Sequence, residues 1–80
     1  MINLFLFGTT GCHLCEEAEL MITTCNQVKI VYIDIAEHEQ WQEKYAIRIP
    51  VLYYPETKKE LDWPFTLAQL QTFIKELKND

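Results

Sequence analysis

Leu4-Phe5-Leu6-Phe7 is the first apolar run of the chain, closed by Gly8, too short for a helix and rich in aromatic side chains. Such a run predicts a buried strand. From residue 12 to residue 25 the pattern changes: Leu14, Cys15, Ala18, Met21, Ile22 and Cys25 recur at helical spacing, while Glu16, Glu17 and Glu19 fall elsewhere. This predicts an amphipathic helix with Cys12 in its first turn and Cys25 as a small core side chain at its end. Residues 28–35, VKIVYIDI, are β-branched and nearly continuously apolar, the pattern of a strand covered on both faces. Strand, helix and strand in this order make a right-handed βαβ unit.

Beyond Asp34 the chain turns polar through Glu37, His38, Glu39 and Gln40, then sets Trp41 and Tyr45 one helical turn apart beside Ala46, which predicts a short second helix. Residues 49–54, IPVLYY, open with an X-Pro bond and continue as a strand; PETK at 55–58 supplies a turn before KELDW at 59–63, so this stretch reads as an antiparallel hairpin. Thr66 and Gln69 have capping-box spacing, Leu70, Phe73, Ile74 and Leu77 share a face beyond them, and Lys75 and Lys78 suit the C-terminal end of a helix dipole. The order βαβ, helix, ββα predicts an α/β fold: a three-layer sandwich around a four-stranded mixed sheet.

Length and charge narrow what such a fold can do. Eighty residues fit one domain, 1–80, and a chain this short buries only about 60% of its unfolded surface, which demands a compact core. Seven basic residues against twelve acidic ones give a net charge of −5 with no Lys/Arg run, which argues against nucleic acid as a partner. The opening residues 1–7 are too short an apolar run to span a membrane and carry neither a basic flank nor a cleavage pattern, so they read as a strand. Three cysteines are too few, and odd in number, for a secreted disulfide scaffold; a reducing compartment, the cytoplasm, is expected.

Cys12 and Cys15 stand two residues apart with Glu16 and Glu17 directly behind. A disulfide between them would close a tiny loop and restrain little of the unfolded chain, which fits a bond made to be broken. Cys12, at the helix start, has the unpaired N–H groups of the first turn near its sulfur and His13 as a neighbouring cation when protonated; it is the candidate nucleophile. Cys15, one turn deeper on the apolar stripe, is the candidate resolving thiol. Glu16 opposes thiolate formation, and the spacing does not fix the sign of the net effect. A structural zinc site wants four ligands, commonly as two paired motifs, and the remaining donors Cys25, His13 and His38 are badly placed to complete one; no metal is expected. A CxxC motif opening a helix after a buried strand reads instead as a redox motif.

With these residues in view, the chain resembles a small glutaredoxin-like member of the thioredoxin superfamily. The resemblance runs over essentially the whole length and is carried by GCHLCE at residues 11–16, RIPVL at 48–52 and DWPF at 62–65. It implies a thioredoxin-like, glutaredoxin-type fold and a thiol-disulfide oxidoreductase in which Cys12 forms a mixed disulfide that Cys15 resolves. It also implies that Pro50 is a cis-proline beside the dithiol, with the Ile49 N–H and C=O pairing to an extended substrate, so Ile49 and Pro50 are expected substrate contacts. Two departures stand out. Where glutathione-using relatives have a Gly-Gly turn, this chain has Asp62-Trp63-Pro64-Phe65, and where they have a lysine before the motif it has Thr9 and Thr10. Arg48 is then the candidate for a carboxylate-binding role, with Trp63 at the substrate rim, and glutathione is a candidate co-substrate rather than a resident cofactor. The expected partners are a disulfide-containing protein or low-molecular-weight thiol and a recycling reductant, with no membrane and a monomeric chain. The rival readings are a binding module that keeps the fold and uses the dithiol as a switch, with Trp41, Tyr45 and Trp63 packing on the sheet or rimming a peptide groove, and a metal or iron–sulfur carrier.

Overall fold

The computed structural model describes residues 2–78; Met1, part of the expected first strand, lies outside them. Strand β1 (Ile2–Gly8) leads to helix α1 (His13–Thr23) and strand β2 (Val28–Asp34). A 3-10 turn (Ile35–Glu37) precedes helix α2 (Glu39–Tyr45), strands β3 (Val51–Tyr54) and β4 (Lys59–Asp62), and helix α3 (Leu67–Lys78). The sheet order is β2-β1-β3-β4: β1 runs parallel to β2 and antiparallel to β3, and β4 is antiparallel to β3. This is the mixed four-stranded α/β architecture that the hydrophobic pattern predicts.

β1 is central because both its faces are apolar, and alternate residues serve different layers. Leu4 and Leu6 enter a core with Leu52, Ala18 and Ile22 of α1, and Leu70, Phe73, Ile74 and Leu77 of α3. Phe7 enters a second core with Ile35, Tyr45 and Val51, flanked by Phe5, Trp41 and Tyr53. Its ring lies 4.5 Å from that of Tyr45 and 5.0 Å from that of Trp41, so this layer is held by offset and tilted aromatic pairs. Each fully buried leucine contributes about 1.5–3 kcal/mol relative to exposure.

α3 begins as its capping box requires: the Thr66 hydroxyl accepts from the Gln69 N–H at 3.1 Å, and the Gln69 side chain accepts from the Thr66 N–H at 2.7 Å. Three expectations need correction. β2 is not covered on both faces; it is an edge strand with Val31 and Tyr32 exposed, because its β-branched composition does not reveal its place in the sheet. α1 stops at Thr23, not residue 25, since the Thr23 and Thr24 hydroxyls donate to the carbonyls of Leu20 and Met21 and compete for the last turn. Cys25 therefore falls after the helix and is half-buried, packed against the edge of the larger core.

Candidate active site

The residues between β1 and α1 form a tight turn. The Cys12 N–H donates to the Thr9 carbonyl at 3.3 Å, and Gly11 at the third position has φ of +79°, a conformation that favours glycine. The turn delivers Cys12 as the N-cap of α1, one residue ahead of the predicted first turn, with extended backbone angles. Its sulfur accepts the Cys15 N–H at 3.2 Å, the place a capping oxygen usually takes. Cys12 and Cys15 are at disulfide distance, with S–S 2.27 Å and Cα–Cα 5.2 Å. Cys12 is partly exposed, whereas Cys15 is 1% exposed, as their positions on the apolar stripe predict.

Gly8 is packed behind Cys15. A side-chain carbon on it would stand 3.0 Å from the Cys15 sulfur, 3.2 Å from its Cβ and 2.7 Å from the Tyr32 hydroxyl. Tyr32 thus reaches from β2 toward the resolving cysteine, and its hydroxyl donates to the Thr9 carbonyl at 3.1 Å. Burial, then the charges of Asp34, Glu19 and Glu16, push the phenol above its ordinary value, so it stays a neutral donor. Asp34, at the end of β2, accepts from the Ala36 N–H at 2.9 Å and the Thr10 hydroxyl at 3.2 Å. The Ala36 N–H, aided by the threonines of the turn, holds its carboxyl below the usual range. In the sequence Gly8 marks only the end of a strand and nothing singles out Tyr32 or Asp34, because the contacts of Gly8 with Tyr32, of Tyr32 with Thr9 and of Asp34 with Thr10 join residues distant in the chain.

His13 and Glu16 lie on the exposed face of the first turn, with Nδ1 and an Oε 3.8 Å apart. Any charge on the imidazole is shared with this carboxylate in water. Pro50 comes to the same end of the sheet from the other side: the antiparallel register pairs Phe7 with Val51, which puts Pro50 level with Gly8. The Ile49–Pro50 bond is cis, as is Trp63–Pro64. The Ile49 N–H, one of the two backbone groups expected to meet substrate, donates to the Tyr45 carbonyl at 3.1 Å and is engaged within the protein.

Arg48 is engaged within the protein. One guanidinium nitrogen lies 2.7 Å from Glu60 and 2.7 Å from Asp62, and the guanidinium carbon stands 5.0 Å over the Tyr45 ring. The Tyr45 hydroxyl also donates to Glu60. Burial would raise the Glu60 carboxyl, but hydrogen bonds from Arg48 and Tyr45 outweigh it and hold it below the ordinary range. Burial, with the hydrogen bond to Glu60, pushes the Tyr45 phenol well up, and the two carboxylates raise the Arg48 guanidinium. Glu60 and Asp62, two residues apart on one face of β4, are the alternation that could have shown this clamp in the sequence. Trp63 is half-buried, packed on the larger core with its ring edge-on to Phe65 at 5.0 Å. The dithiol, Gly8, Tyr32 and Pro50 are thus gathered at one end of the sheet, with Arg48 at the turn before Pro50.

A parallel βαβ unit with a dithiol opening its helix, followed by an antiparallel hairpin and a last helix, defines a protein of the thioredoxin-like, glutaredoxin-type class. The model of the family described as Glutaredoxin-like domain (DUF836) matches residues 3–75, and the chain belongs to that family. Among solved structures it is similar to the structural genomics target protein XcR50 from X. campestris. The X-ray structure of that protein is 29% identical, with 91% of this chain and 96% of that chain covered and a TM-score of 0.83. The solution structure of protein Ne2328 from Nitrosomonas europaea is 27% identical, covering 89% of this chain and 88% of that one, with a TM-score of 0.75. No curated protein matches the sequence significantly.

Proposed function

We propose that this protein is a thiol-disulfide oxidoreductase working through Cys12 and Cys15. The observation that carries the reading is the pairing, at disulfide distance, of a partly exposed sulfur at a helix N-terminus with a buried one a single turn deeper. In the reduced protein the Cys15 N–H and the start of α1 favour negative charge on the Cys12 sulfur. That thiolate attacks a substrate disulfide, one substrate thiolate leaves, and a mixed disulfide forms. Cys15 gives up its proton and attacks the Cys12 sulfur, the second substrate thiolate leaves, and the protein holds the intramolecular disulfide. An external dithiol or thiol returns two electrons. These steps need only two sulfurs, a substrate disulfide and a reductant, and they suit a cytoplasmic, reducing setting.

Intact-mass measurement across dithiothreitol buffers of defined poise tests the reading. The expected result is a reversible loss of two hydrogens mapped to Cys12–Cys15, absent from Cys12→Ser and Cys15→Ser variants. If both thiols persist under mildly oxidising conditions, the oxidoreductase reading fails and a binding role for the fold takes its place.

A further inference from the structure

Charge is divided between the two ends of this molecule. β1 and β2 finish, and β3 begins, at the dithiol end. There Glu16 and Glu17 project into solvent behind the motif, and Asp34 closes β2 beside Thr10. The permanent cations on this side are Lys44 and Arg48, both against the Tyr45 ring, with Arg48 paired to Glu60 and Asp62; His13, when protonated, faces Glu16 at 3.8 Å. Two carboxylates hold the Arg48 guanidinium, so it does not wait unpaired for an incoming anion. The other described lysines are placed elsewhere. Lys29 sits one residue from Val28, the partner of Ile2 where β1 begins, and Lys58 and Lys59 sit at the hairpin tip opposite the Val51–Asp62 pair. Lys75 and Lys78 line a cleft of about 340 Å³ with Cys25 and Gln27, past the far end of α1. Glu56 and Glu76 also lie toward that far end, where five lysines outnumber two described carboxylates, so a substrate approaching Cys12 meets the more negative end of the molecule, and such a difference changes association rates by sign of charge.

We propose that the dithiol selects disulfides flanked by cationic groups, as on a basic segment of another polypeptide, and discriminates against the anionic tripeptide glutathione. This rests on the oxidoreductase reading. The exchange is the one written above: reduced protein gives two electrons to the peptide disulfide, ends as the Cys12–Cys15 disulfide, and releases two peptide thiols.

The test is single-turnover oxidation of the reduced protein by symmetrical peptide disulfides in which each cysteine is flanked by two lysines, two serines or two glutamates, with oxidised glutathione as a fourth substrate. Each rate is divided by that of dithiothreitol with the same disulfide, which removes the difference in leaving-group chemistry. The expected order is lysine, serine, glutamate, with at least about tenfold between the extremes at low ionic strength. The contrast should shrink to within about threefold in 0.5 M salt, where screening is short-ranged. Glu17→Lys should narrow it by about threefold or more, and Lys75→Gln at the other end should leave it within about twofold. Glutamate peptide or oxidised glutathione matching the lysine peptide, or a contrast indifferent to salt, overturns the proposal while leaving the oxidoreductase reading intact. Failure of every peptide, the neutral one included, overturns both.

Discussion

Gly8 shows how much can depend on the lack of one methyl group. The carbon it lacks would press on two neighbours of different compliance: the Tyr32 hydroxyl, at the tip of an exposed side chain, and the Cys15 sulfur, buried and tied to its partner. The tyrosine can swing aside; the cysteine cannot without moving the start of α1. Gly8→Ala should cost about 1–3 kcal/mol, the range for overpacking a filled interior. It should also slow closure of the Cys12–Cys15 disulfide. Urea unfolding and quenched-alkylation kinetics measure the two effects, and an unchanged closure rate would mean that Cys15 is not held by this contact. Nothing in the sequence marked the glycine beyond the end of a strand, because the crowding involves β1, α1 and β2 together.

At the level of elements, the clamp formed by α2, the turn after it and β4 carries a pH dependence. Glu60 sits below the ordinary carboxylate range in the folded protein. Its contribution is therefore fully present above the unfolded value of about 4.3 and is lost as pH falls through the folded value. Glu60→Gln should lower stability by about 1 kcal/mol at pH 7, between an exposed pair and a buried charge-assisted bond. The difference between variant and parent should shrink as pH falls below the unfolded value; urea midpoints across a series of acidic pH values decide this, and a constant difference would refute it. This clamp was half legible in the sequence. Alternation puts Glu60 and Asp62 on one face of β4, but their meeting with Arg48 requires the order β2-β1-β3-β4, which no local pattern encodes. The dithiol, the capping box at Thr66 and the helical stripe of α3 were legible because each is written within a few residues. The edge position of β2 was not, since Val, Ile and Tyr suit a half-covered strand as well as a buried one.

Across the whole molecule, the two layers on the sheet are unequal. One face carries α1 and α3 over the larger core; the other carries α2, seven residues long, over an aromatic cluster with few fully buried members. α2 should open locally at lower free energy than the strands it covers, so its amides should exchange with deuterium at least about tenfold faster than those of β1 and β3. Equal protection would show that the layers unfold as one. β1, between the layers, sends Leu4 and Leu6 to the larger, mainly aliphatic core, whose buried rings are Phe65 and Phe73, and Phe7, with Phe5, to the mainly aromatic one. A one-residue slip of this strand would still bury apolar side chains on both faces, yet it would put the Phe5 and Phe7 rings into the mainly aliphatic core and leucines into the aromatic cluster. The strand thus tells its two faces apart by shape as well as by polarity. Misregistered pairings of the refolding chain are penalised by misfit even where hydrophobicity alone would accept them.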